Sequence, residues 1–236
     1  MFDLETDLRT HSRQEPAAQG PLPVGLADHI AFCVDRGGVT LLDTHRDRYF
    51  GLPRALETAF VELVDADFSA QLITPAIGRL LELGILVQGP TAPRRSLPTA
   101  NRSWCDDGHS GGAPVDPVGV AWALWRAGRR LKTRPLSSIL DQLRVRRTGG
   151  GVLDLVRLRD EAEAFQRVRA WAPNKSVCLL DSVALLDVLH KHGLYPSLVF
   201  GVIRRPFAAH CWVQVDEVVV NDRLDHVREY APILVI

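Results

Sequence analysis

Two stretches of the chain put reactive side chains at the ends of apolar runs. In NKSVCLLDSVALLDVLHKHG, Cys178 stands at the start of a long one; in PFAAHCWVQVDEVVVND, His210 opens one short run and Asp222 closes the next. A thiol, an imidazole and a carboxylate are the parts of a nucleophilic centre: attacking group, base, and the group that orients the base. Each also has a plainer explanation. A cysteine before an apolar helix is more often a small core residue. A histidine at a strand mouth is often a half-exposed edge residue, and an aspartate in NDR is a turn former.

The chemistry makes demands on the elements that carry these residues. A cysteine is a nucleophile only as the thiolate, which a helix N-terminus favours through its free N–H groups and dipole. The pattern predicts such a helix from Cys178 to about His192, closed by Gly193 and buried by Leu179, Val183, Leu185, Leu186 and Leu189. His210 and Asp222 fall on two predicted strands, HCWVQV and VVVND. Side chains alternate along a strand, so His210 can pair directly with Asp222 only across an odd loop such as Val215-Asp216-Glu217. A two-residue Asp216-Glu217 turn would send them to opposite faces.

Around these segments the chain divides. Residues 1–21 are polar and without period and are expected to be disordered. Residues 22–90 read as strand–strand–strand–helix–helix: HIAFCV, VTLLD and RYFGL, then helices opened at Pro53 and at Thr74-Pro75, then ILV as a terminal strand. This order predicts a winged-helix-like module. Residues 91–117, rich in Gly and Pro, read as a linker. Residues 118–236 read as helices followed by antiparallel strands, so the whole is expected to be α+β. Between Arg126 and Arg147 stand eight Lys or Arg and one acid, Asp141. They suit a solvated helical face, or alternatively a docking patch for an acidic partner.

Composition excludes several classes. With 236 residues, 46% hydrophobic, and zero formal net charge, nothing draws the chain to nucleic acid or anionic lipid. No apolar run is long enough to cross a bilayer, and the polar start MFDLETDLRT is not a secretory signal. A cytoplasmic location is expected. The four cysteines, Cys33, Cys105, Cys178 and Cys211, form no CxxC pair, so neither a zinc site nor a dithiol motif is indicated, and no cofactor is expected.

The motifs SVCLLDSVALLDVLHKHG, LVFGV and RRPFAAHCWVQVDEVVVND, over about residues 118–225, resemble the leader peptidases of lasso-peptide biosynthesis, members of the transglutaminase-like (papain-like) superfamily. The resemblance implies a Cys178–His210–Asp222 triad in a cysteine protease domain. VTLLDTHRDRYFGL and its surroundings resemble, more loosely, the small peptide-recognition domain of the same system. That implies that the first module binds the leader of a precursor by strand addition, with Arg48, Tyr49, Phe50, Leu52, Ile77, Leu80 and Leu81 as candidate contacts. It also implies a partner, an ATP-dependent asparagine-synthetase-like macrolactam cyclase that joins the freed amine to an acidic side chain. Asn174 is a candidate second oxyanion donor. Many relatives would have Ala where this chain has Cys211, which is expected only to pack. Two rival functions stay open: acyl transfer to an amine by the same triad, and a non-catalytic leader-binding scaffold.

Overall fold

The computed structural model describes residues 22–35, 37–70, 72–91, 94–108, 114–147, 154–171 and 177–236. The expected disordered stretch 1–21 lies outside them. The elements run β1 (Leu22–Leu26), β2 (Ile30–Asp35), β3 (Gly38–Asp43), β4 (Arg48–Gly51), α1 (Arg54–Asp65), β5 (Ser69–Ala70), α2 (Pro75–Glu82), β6 (Leu86–Gln88), β7 (Arg102–Ser103), α3 (Pro117–Thr133), α4 (Leu136–Arg147), α5 (Leu155–Arg169), α6 (Cys178–Lys191), β8 (Ser197–Ile203), β9 (Ala208–Val215), β10 (Val218–Val219), α7 (Leu224–Val227) and β11 (Ala231–Val235). The fold mixes helices and sheets. Among the described residues no helix is long and apolar enough to cross a membrane.

In the first half, β2, β3 and β4 form an antiparallel sheet with β4 at its edge. Gly38 closes the β2–β3 turn at φ +121°, a left-handed value that glycine adopts freely. A Cβ there would strike Glu57 and the Arg204 guanidinium. Thr74 caps α2 by accepting the Ile77 N–H at 3.3 Å. Phe32, Leu41, Phe60, Leu63, Leu80 and Leu86 fill the core beneath. Two strands of this half were not foreseen, β1 and the short β5. β1 precedes the expected three and pairs with both β5 and β6, so the terminal strand closes on β1 in a second small sheet.

The expected linker needs correction. Within it, β7 pairs parallel to β10, Trp104 is buried, and Ala100 sits in a small cluster with Val199, Trp212 and Val219. Its turn-forming composition reflects an irregular path across the second sheet, where backbone groups such as the Asn101 N–H pair with the Glu217 carbonyl at 2.9 Å.

In the second half, α6 is buried on nearly every side. α3 and α5 pack on it, and β9 lies across its remaining face. A helix so enclosed has to be apolar around its circumference, and Val183, Ala184, Leu185, Leu186 and Leu189 are all inaccessible or nearly so. Its two buried acids are paired. Asp187 accepts two bonds from Arg130 at 2.8 and 3.0 Å and one from Arg146 at 2.9 Å; Asp181 accepts from Arg169 at 2.7 Å. The basic stretch is therefore more than a solvated face, because two of its arginines neutralise a carboxylate in the core. Trp171 lies just beyond the end of α5 and is exposed.

The second sheet has the order β11-β8-β9-β10-β7. β9 and β10 join through Asp216-Glu217, with Val215 opposite Val218. The turn thus has two residues, not the odd number required for direct pairing of His210 with Asp222, and VVVND is a strand only at Val218–Val219.

The halves share a core. Ala31, Cys33 and Leu42, on one face of the first sheet, are buried in the cluster that contains Leu186 and Val213. Arg204, in the β8–β9 turn, donates to the Gly37 carbonyl and to Glu57.

Candidate active site

Cys178 is the first residue of α6, preceded by Val177 in extended conformation. Its backbone N–H and the next two lie in the first turn, where no helical carbonyl reaches them. The side chain is half-buried. It faces β9, where the Cys211 thiol, the Cys211 backbone N–H and His210 are the groups that act on its thiol.

His210 is held by β8 and β9. Its register partner is Gly201, where a Cβ would lie 2.8 Å from Trp212 and from Tyr230. Only glycine leaves room for the aromatic wall around the imidazole. That wall is Trp212, stacked at 6.0 Å, and Tyr230 at 5.1 Å.

Asp222 reaches His210 by a route that strand alternation does not supply. The β9–β10 ladder continues through the Val220 N–H to the Val213 carbonyl at 2.9 Å. The reciprocal bond is broken: the Val213 N–H donates to the Asn221 side chain at 2.7 Å, while the Val220 carbonyl accepts from Gln166 at 2.9 Å. The chain bends out of the ladder there, and Ser103 Oγ holds the Asp222 carbonyl at 2.5 Å. Asp222 Oδ2 then lies 2.5 Å from His210 Nε2. His210 therefore meets Asp222 through Nε2, and Nδ1 is the ring nitrogen that this bond leaves open.

The electrostatics follow from these contacts. The Cys178 thiol is pulled down to about 4, chiefly by the Cys211 thiol donating to it, then by His210 and the Cys211 N–H, with burial opposing. Burial works against a charged imidazole at His210, but the bonds to Asp222 and Cys178 outweigh it and raise His210 to about 9. Burial pushes Asp222 up; His210, His226 and the Arg223 N–H more than reverse that. Between those values the pair is a thiolate and an imidazolium. Such an arrangement attacks a carbonyl through sulfur and returns a proton to the leaving group. Cys211 is pushed well above its ordinary range because its proton serves Cys178. It does more than pack. Cys33 is raised to about 11 by burial and is inert by comparison.

Two groups escaped the sequence. His226, on α7, donates to both Asp222 oxygens at 3.1 Å. Asn221 ties β9 to α6 through Ser182 at 3.0 Å. His210, Asp222 and His226 also bring three potential metal-ligand atoms within 4.8 Å of one another. Asn174 falls among residues 172–176, outside those described.

The candidate leader contacts divide. Arg48 is exposed, and Tyr49, Phe50 and Leu52 are half-buried on and beside edge strand β4. Ile77 and Leu80 are buried in the first core, with 7% and 0% exposure, so they cannot meet a peptide. Leu81 packs partly against the same core. Tyr49 faces the other way, toward the second half, where its ring lies against Phe207. Burial pushes its phenol up, with Cys211, Asp47 and Cys178 adding to it. A cleft of about 1090 Å³ lies elsewhere, between the start of β2, residues 94–97 and β11.

Residues 121–235 match the Transglutaminase-like superfamily, so just under half of the chain is a transglutaminase-like domain, and that domain carries Cys178, His210 and Asp222. A stretch of 48 residues is 44% identical to the Microcin J25-processing protein McjB of Escherichia coli, covering 20% of this chain and 23% of that protein. Together the two matches support the family that the motifs resemble, the lasso-peptide processing proteins of the B-protein kind. No solved structure matches the chain.

Proposed function

We propose that this protein is a cysteine peptidase that removes the leader from a lasso-peptide precursor, with Cys178, His210 and Asp222 as its triad. The observation that carries this reading is the His210–Asp222 hydrogen bond on the strand that faces Cys178 at the N-terminus of a buried helix. The Cys178 thiolate attacks the scissile carbonyl. The oxyanion meets the Cys178 N–H. His210 protonates the leaving amine, and water resolves the acyl-enzyme. The first half acts as a winged-helix-like recognition module. An extended leader adds to the free edge of β4, with Arg48, Tyr49, Phe50 and Leu52 beside it. The new amine of the core peptide passes to an ATP-dependent, asparagine-synthetase-like cyclase; the peptidase itself takes no cofactor.

The test is to incubate the purified chain with a synthetic precursor and read the products by mass. A peptide shortened at one bond supports the proposal. A new amide in place of hydrolysis makes the protein an acyltransferase, and binding without change makes it a scaffold.

A further inference from the structure

We infer that His226 is a positioning residue for this centre, fixing the Asp222 carboxylate so that one oxygen stays on His210. The inference rests on the reading of Cys178 as nucleophile. Asp222 lies in a bend just past the ladder, where no strand pairing restrains it. The terminal torsion of an aspartate is soft, so its donors decide where the two oxygens point. Oδ2 takes His210 at 2.5 Å, Oδ1 takes the Arg223 N–H at 2.7 Å, and His226 Nδ1 stands 3.1 Å from both. A donor equidistant from both oxygens resists rotation in either sense. His226 is itself held. It sits four residues on, in the single turn of α7, with its ring 4.6 Å from His210 and edge-on to Tyr230 at 5.4 Å. It touches the orienting carboxylate and the face of the imidazole, not the thiol, so it acts through Asp222.

Two substitutions separate the donor from the packing. His226→Phe keeps a ring against Tyr230 and removes the N–H. His226→Asn loses the ring and keeps an amide N–H near the position of Nδ1. Loss of a hydrogen bond to a charged group corresponds to roughly one to two decades in rate if wholly expressed in the transition state. His226→Phe should therefore cut kcat about tenfold with KM unchanged, and His226→Asn should recover most of it. Alkylation of Cys178 by iodoacetamide, followed against pH by peptide mass, reads the same effect without any substrate. In His226→Phe the midpoint for thiolate formation should move up, because a less firmly held imidazolium supports the thiolate less. Wild-type rates and an unmoved alkylation profile in His226→Phe overturn the inference. So do equal losses in the Phe and Asn variants, which would mark packing alone. Failure of the parent reading looks different: Cys178→Ala still processes precursor, or the wild-type thiol shows no alkylation at acid pH.

Discussion

The Tyr49 ring lies 5.6 Å from that of Phe207. The first belongs to the edge strand of the amino-terminal sheet, the second to the turn that leads into the strand of His210. The surface proposed to hold the leader and the surface proposed to cut it therefore meet. Phe207 is exposed beside a half-buried Tyr49, and a peptide lying along β4 needs no long tether to reach the thiol.

Cys178→Ala should abolish processing while leader affinity persists, because the thiol is not on β4. Cys33→Ala and Cys105→Ala should remain active. Cys211→Ala should keep the mechanism but move the Cys178 thiol up, since the Cys211 donor is the main cause of its depression; Cys211→Ser should move it less. Precursor cleavage by mass, with thiol titration for the shift, distinguishes these. Full cutting by Cys178→Ala would refute the mechanism.

The pH profile should be broad. Activity needs the thiolate, lost as pH falls through about 4, and the imidazolium, lost as pH rises through about 9. The two values belong to the coupled pair. A profile of kcat/KM against pH should show a plateau between them. An acid limb centred near 8, the range of an ordinary thiol, would show that the ion pair does not form.

Asp222→Asn should fold and cut slowly. The carboxamide cannot stabilise the imidazolium, and it offers the ring the wrong partner; in the serine-protease template the loss is about 10⁴. A smaller loss is expected here, because Cys178 has two further donors in Cys211. Single-turnover cleavage measures it, and near-normal turnover would reduce Asp222 to a turn residue.

Asp187→Ala should destabilise the fold by about 3–5 kcal/mol, since it leaves the buried Arg130 charge without its carboxylate. Urea unfolding gives the value. Residual folded protein should cleave at near-normal rate, because Asp187 lies in the middle of α6, away from Cys178.

The helix of Cys178 was legible because its apolar run and closing Gly193 act locally, and the strand of His210 because its apolar run is long and continuous. What stayed hidden depends on tertiary contacts. Alternation along a strand forbids the His210–Asp222 contact; it forms because Asn221 replaces a backbone partner of Val213. Trp104 and Ser103 were masked by the Gly and Pro around them. Ile77 and Leu80 carry the same apolar stripe whether a helix faces a ligand or its own core. Cys211 points away from His210 along the strand, and the first turn of α6 reaches both.

The burial of Ala31, Cys33 and Leu42 in the carboxy-terminal core has a consequence for cooperativity. Separating the halves would uncover an apolar face on each, and would also break the Arg204 clasp to Gly37 and Glu57. The two halves should therefore unfold in a single transition in urea, followed by fluorescence and circular dichroism together. Free energy gained when a ligand settles on β4 is not confined to the half that binds it: it raises the stability of the frame that keeps Cys178 and His210 in register.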